Sequence, residues 1–313
     1  MGGDPVLIRY QAAAIALKLF SANASTRALY RRFGNAVGGR RTTDLGGSYA
    51  VRAAWLIGNL RGLGLLDGGA TSALELGTGW MHFYGIVLAL AGLRRIDLYD
   101  QWDNRQFARL QRSFAEFETN FDALGLTQTE RRTASDKLDV IRRAHSFQEF
   151  YSALGMRYVV DRHGDLDAFA DDTYDIVCSL DVLEHVHIDY LETFVRALWR
   201  VTRPGGVSLH QIGLDDHLTH YDRRALTKQH AHYGDRIWNL RFANRVQYFS
   251  RVSYDHLRDL FRQAGFEEIA CTTEQDAAAV DRRKLAPRFR AQTEESLLAV
   301  RAFFVHRKPD VAG

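Results

Sequence analysis

Three clusters of side chains in this chain could do chemistry. The segment "HQIGLDDHLTHYD" carries His210, Asp215, Asp216, His217, His220 and Asp222. Histidine titrates near neutral pH, so it suits proton removal, and an adjacent carboxylate can orient its ring. Asp216–His217 is the preferred base region, with His210 second. In "DVLEHVH", Asp181, Glu184 and His185 stand three and four residues apart. On a helix they would share one face and could hold a divalent metal. Packing and capping explain the same residues without an ion, so the sequence reading assigns no metal ligand. In "ALELGTGWMHFYG" an acid and two glycines, Glu75, Gly77 and Gly79, break an apolar run. A glycine turn after a strand cradles a nucleotide or nucleoside. The dinucleotide fingerprint would need a third glycine where His82 stands.

These clusters need elements to position them. "SALEL", "RRIDLYD", "RYVV", "YDIVCSL" and "GGVSLHQI" read as strands, and "FEEIACT" and "AVRAFFVHR" as the last two. Helical patterns lie between them. "GWMHFYGIVLALAGL" is apolar nearly all round and must be buried, whereas "DYLETFVRALWRV" and "SYDHLRDLFRQAG" carry one apolar stripe each. Alternating strands and helices give an α/β chain with a doubly wound, mostly parallel sheet. Its ligands bind beyond the carboxyl ends of the strands, where all three clusters fall. Residues 1–70 read as an N-terminal helical cap, with Val51, Trp55, Leu56 and Leu60 on its inward face. Residues 71–313 form the main domain, with a helical insertion at about 101–156.

Bulk composition narrows the partners. The 313 residues carry a net charge of +3, with 46% hydrophobic and 25% charged residues. That balance demands neither nucleic acid nor an anionic membrane. The basic clusters "YRRFGNAVGGRR" and "DRRKLAPRFR" read as solvated faces. Two cysteines make no disulfide framework and fit a reducing, cytoplasmic setting. Val6 to Phe20 is too short and too charged to span a bilayer, so no stable membrane insertion is expected.

Taken in order, "LELGTGW", "LYD", "YDIVCSLDVLEHV" and "LWRVTRPGGVSLHQI" resemble the class I S-adenosylmethionine-dependent methyltransferases over about residues 72–307. The resemblance implies a Rossmann-like seven-stranded sheet and S-adenosylmethionine as cofactor. It puts Glu75, Gly77 and Gly79 in the turn under the methionine part, where a side chain would occupy the ligand's space. Asp100 would accept hydrogen bonds from the ribose hydroxyls, with Asp97 as fallback. Asp165 and Leu166 would meet the adenine edge, and Asp181 would border methionine and substrate. Met81 departs from the family's third glycine. A narrower resemblance, carried by "LGTGW", "HQIGLDDHLTHYD", "NRVQYFSRVSYDHLRDLFRQAGF" and "LAPRFRAQTEESLLAVRAFFVHR", is to methyltransferases associated with surface-glycan synthesis. The reading of the whole is O-methylation of a small-molecule or sugar-containing acceptor, with His217, Asp216 or His210 serving the acceptor's proton. N-methylation is the alternative within the class. A non-catalytic S-adenosylmethionine-binding or scaffold protein is the alternative outside it. The cap and the insertion are expected to cover the acceptor pocket.

Overall fold

A computed structural model describes residues 7–38 and 45–310. Part of the first basic cluster and Gly39 fall outside these residues.

Seven strands form one sheet: β1 (Ser72–Leu76), β2 (Arg95–Asp100), β3 (Met156–Val160), β4 (Tyr174–Leu180), β5 (Thr202–Gly213), β6 (Glu267–Gln275) and β7 (Ala299–Arg307). Their spatial order is β3-β2-β1-β4-β5-β7-β6, parallel except for β7, which runs antiparallel to both neighbours. β1 and β4 are buried along their whole length, as strands covered by helices on both faces must be. The order reverses between β1 and β4, so a crevice opens beyond their carboxyl ends.

Twelve helices are described, α1 (Ile8–Phe20), α2 (Ala24–Gly38), α3 (Ala50–Gly62), α4 (Phe83–Leu90), α5 (Phe107–Thr119), α6 (Gln128–Arg142), α7 (Phe147–Leu154), α8 (Ile188–Val201), α9 (Asp235–Arg241), α10 (Tyr254–Gln263), α11 (Pro287–Arg290) and α12 (Glu294–Leu298). None of them is long and apolar enough to cross a membrane. All eight residues of α4 are buried, which accounts for its lack of a polar face. α3 to α7 cover one face of the sheet, and α8 and α10 cover the other. The inward face of α3 is Ala50, Ala53, Leu56, Ile57 and Leu60. Val51, expected there, is 69% exposed, because the helix is turned so that the small alanines meet its neighbours.

A third, smaller core sits beside the carboxyl edge. Tyr10, Ala14 and Leu17 of α1 pack there on Leu218, Trp238, Phe242 and Phe249. The N-terminal region is therefore fastened to the segment after β5, where the candidate histidines lie. The insertion is likewise fixed. Thr127 and Glu130 form a reciprocal cap on α6, and Ser146 caps α7.

Candidate functional site

The turn after β1 begins where the Gly77 and Thr78 amides donate to the Tyr99 carbonyl, at 2.8 and 3.2 Å. The turn is thereby tied to the end of β2. Gly77 and Gly79 both have positive φ, 64° and 60°, a region that side chains disfavour. Their surroundings differ. A Cβ on Gly77 would lie 2.5 Å from Val182 Cγ2, whereas one on Gly79 would meet no atom within 4 Å. Gly79 thus keeps ligand space open, and Gly77 admits Val182 from the neighbouring strand exit.

Glu75 supports the turn from beneath. Its Oε2 accepts from the Gly85 amide at 2.8 Å and from Thr78 Oγ1 at 2.9 Å. Burial pushes its carboxyl up to about 7. His82, with φ 50°, continues this network. Thr78 has given its proton to Glu75, so its oxygen accepts from His82 Nδ1 at 3.1 Å. The ring's other nitrogen then accepts from Tyr151 of α7, also at 3.1 Å. Burial pushes the imidazole down to about 3, so it stays neutral. Met81 is buried in the core beside α4.

Asp100 ends β2 at the rim of the turn. It accepts from the Gly79 amide at 3.1 Å, Asn104 Nδ2 at 2.9 Å and the Trp102 amide at 3.3 Å. A carboxylate has about four acceptor positions, and one of those filled here is held by the Asn104 side-chain amide, a group that a ligand hydroxyl could replace. Asp97 is placed differently. It is buried in a structural cluster, accepting from Arg157 Nε and Nη2, each at 2.8 Å, and from the Tyr174 hydroxyl. Asp165 accepts from the Asp167 amide at 3.1 Å, and this bond holds its carboxyl below the ordinary carboxylate value. Leu166 has φ 61° and a fully buried side chain packed in the core, so only its backbone can face a ligand.

Two cavities adjoin at the carboxyl edge. The first, of about 210 Å³, is lined by Glu75, Gly77, Gly79, Trp80, Leu180 and Asp181, among others. The second, of about 530 Å³, is lined by Glu184, His185, Asp215, His217, His220 and Tyr248, among others. Arg52 and Asp181 belong to both. They form an ion pair at 2.5 Å, and Gln211 Nε2 donates to the other Asp181 oxygen at 2.9 Å. Asp181 has φ 56°, and the following residues form a short 3-10 turn. Asp181, Glu184 and His185 consequently do not share a helix face.

The three base candidates part company. His210 is fully buried, bonded to Ser179 Oγ at 2.7 Å and Ser208 Oγ at 2.6 Å, with its ring 5.3 Å from Phe261 of α10. Alternate residues of a strand face opposite ways, so Gln211 points to the crevice and His210 into the core. Asp216 is also fully buried. Its oxygens are taken by the Tyr10 hydroxyl at 2.5 Å and the Leu218 amide at 2.9 Å, and it does not orient His217. Only His217 reaches the second cavity. Burial, then the neighbouring His185 and His220, push its ring down to about 3. The acid and imidazole that face each other there are Asp215 and His220, 3.8 Å apart. Sequence reasoning also missed Arg52 and Tyr248, whose places depend on remote packing.

Methyltransferase-domain proteins supply the match that this geometry anticipates, since the profile of that family fits residues 72–270. The chain belongs to the methyltransferase domain family. It is an enzyme that uses S-adenosylmethionine. The turn fits that cofactor, because Gly79 leaves space above it and Asp100 presents a carboxylate at its rim. No curated protein matches the chain in sequence. Among solved structures, one from Galdieria sulphuraria, described as a sarcosine dimethylglycine methyltransferase, shares 14% identity at a TM-score of 0.46, covering 83% of this chain and 86% of its own. A Listeria monocytogenes protein described as an S-adenosylmethionine-dependent methyltransferase shares 13% at 0.44, over 83% and 99%. Phosphoethanolamine N-methyltransferase 2 of Haemonchus contortus shares 13% at 0.42, over 77% and 49%. Similarity at this level carries nothing about the acceptor.

Proposed function

We propose that this methyltransferase methylates a hydroxyl of a small-molecule or sugar-containing acceptor held in the larger cavity. The observation that carries this reading is the shared wall. Arg52 and Asp181 line both cavities, so a group bound in the second abuts whatever the first holds. When bound, S-adenosylmethionine supplies an electrophilic methyl on a sulfonium. Glu75, Gly77, Gly79, Asp100 and Asp181 would hold it, with Asp165 and the Leu166 backbone at the adenine end.

The lining of the larger cavity supports an oxygen acceptor. Arg52, Arg245 and Arg301 line it together with Asp181, Glu184 and Asp215, and with the imidazoles of His185, His217 and His220. Such a wall offers both donors and acceptors, which suits a polyol. His217 is the sequence-derived candidate that faces the acceptor. Residues 1–70 supply Arg52 and Tyr49 to the smaller cavity, which supports a covering role for the cap. Among the described residues, those lining the two cavities include none from 101–156, so the insertion has its part beneath the turn instead. Unpaired Cys178 and Cys271 fit a cytoplasmic setting.

The test incubates the enzyme with methyl-labelled S-adenosylmethionine and a pool of polyhydroxylated metabolites. A labelled product heavier by one CH2, with a methoxy carbon signal, is expected. A labelled N-methyl product would replace this reading with the amine one. Cofactor binding with no product from any pool would favour a non-catalytic protein.

A further inference from the structure

We propose that Glu184, His185 and His217 form a binding site for a divalent transition-metal cation in the wall of the acceptor cavity. One donor atom from each of the three lies within 4.8 Å of the others. Metal bonds of about 2.0–2.2 Å space neighbouring ligands by about 3–3.5 Å, so small side-chain shifts would close the set on an ion.

The first independent observation is Glu184. It is 3% exposed, and its Oε1 accepts from the Gly213 amide at 3.1 Å. Its Oε2 is buried without any partner. A buried carboxylate oxygen left unpaired is costly, and the nearby Asp181 and Asp215 add to the cost. Arg52, the adjacent cation, is engaged with Asp181. A cation between Glu184 and the imidazoles removes that cost.

The second observation is the orientation of His185. A carbonyl can only accept, so His185 Nδ1 donates to the Tyr248 oxygen at 2.6 Å. Nδ1 is thereby fixed as a donor, which leaves Nε2 as the nitrogen that can face an ion. Metal-binding histidines are oriented in this manner, with the outer nitrogen donating to a carbonyl or carboxylate. The His217 ring lies 5.0 Å from that of His185. Asp181 is not part of the set, because Arg52 and Gln211 occupy its oxygens.

One carboxylate and two imidazoles suit Mn²⁺, Fe²⁺, Co²⁺, Ni²⁺ or Zn²⁺ better than Mg²⁺ or Ca²⁺. Three protein donors leave coordination positions for acceptor oxygens. The role in catalysis rests on the O-methylation reading above, whereas ion binding does not. A metal-bound hydroxyl is acidified. Its proton leaves to water at the exposed rim beside His220, and the remaining oxygen lone pair forms the O–CH3 bond. The S–CH3 electron pair returns to sulfur, and the sulfonium becomes a neutral thioether. Activation of the hydroxyl then needs neither His210 nor Asp216, which the fold has placed elsewhere.

The experiment uses full-length enzyme stripped with chelator, then titrated with Mn²⁺ by paramagnetic resonance and with Zn²⁺ by equilibrium dialysis and elemental analysis. One ion per chain is expected. Glu184→Gln and His217→Ala should each weaken binding by at least about tenfold to a hundredfold. Cys271→Ala should leave it unchanged, which separates this set from Glu268, Cys271 and His306, the other described group with ligand spacing. Calorimetry with S-adenosylmethionine is run on every variant. Unchanged cofactor binding shows that the fold persists, and if Glu184→Gln loses it, His217→Ala carries the test. No bound ion in wild-type enzyme that binds cofactor would overturn the proposal. So would an ion retained in both ligand variants or lost in Cys271→Ala. Failure to bind S-adenosylmethionine in wild type would strike the methyltransfer reading instead, whatever the ion does.

Discussion

Substituting alanine at the two turn glycines should separate stability from ligand binding. Both positions have left-handed φ, and an L-residue there costs about 1–2 kcal/mol. At Gly79 nothing else opposes the new methyl, since no atom lies within 4 Å of its Cβ position. Gly79→Ala should therefore lose about 1–2 kcal/mol of stability and weaken S-adenosylmethionine severely by entering its space. At Gly77 the methyl would lie 2.5 Å from Val182 Cγ2 and 3.0 Å from Cγ1. Forcing a methyl into a packed site costs about 1–3 kcal/mol more. Gly77→Ala should lose about 2–5 kcal/mol in total. The companion change Val182→Ala removes the clash and leaves the φ cost. The double variant should recover about 1–3 kcal/mol relative to the sum of the single changes. Urea unfolding followed by circular dichroism measures the stabilities, and calorimetry measures the cofactor. Additive losses at Gly77 and Val182 would refute the contact argument. Equal affinity losses, with equal stability losses, would refute the distinction between the glycines.

Further outcomes follow from neighbouring residues. Asp100→Ala should weaken S-adenosylmethionine and S-adenosylhomocysteine alike by about tenfold to a hundredfold, since hydrogen bonds to a charged acceptor are lost; titration calorimetry checks this. Glu75 has its folded value raised from 4.5 to about 7, so the folded state holds a proton that the unfolded state releases between those values. Stability from this residue is therefore full below pH 4.5 and falls by about 3 kcal/mol as pH rises to 7. The stability of wild type minus that of Glu75→Gln should decline over that window, and a flat difference in denaturation at pH 4.5, 6 and 7.5 would refute it. His210→Leu leaves the Ser179 and Ser208 hydroxyls without their imidazole, and should cost about 2–4 kcal/mol with turnover per folded molecule unchanged. A turnover loss at full stability would return His210 to the site.

The sheet was readable because burial on both faces forces apolar runs, and β1, β2, β4 and β5 show them plainly. The different placing of Asp100 and Asp97 was also readable in part. Both acids belong to one strand, but only Asp100 stands at its carboxyl end. The acceptor side was read less well. Whether Asp215 or Asp216 faces the cavity depends on Tyr10, which lies 206 residues away and draws Asp216 inward. His210 carried the right residue type on the wrong face of β5. Arg52 gave no local signal, because an arginine on a helix acquires its meaning only from where that helix docks. The 3-10 turn at Leu183–His185 broke the helical spacing that had grouped Asp181 with Glu184 and His185, and brought in His217 from another segment.

The hydrogen-bonded chain from Tyr151 through His82 and Thr78 to Glu75 has a consequence for the order of folding. His82 precedes the insertion and Tyr151 lies in its last helix, 69 residues away. The cofactor turn cannot complete its hydrogen bonds when β1 and α4 form. Its last bond needs α7 docked against His82. Refolding chains should therefore gain helix and strand signals before they gain affinity for S-adenosylmethionine, and the lag should lengthen when Tyr151 is replaced by phenylalanine. In a nascent chain, competence to bind would arrive only after the insertion had been synthesised. A segment that resembles a dispensable excursion from the sheet is, in temporal terms, the step that admits the ligand.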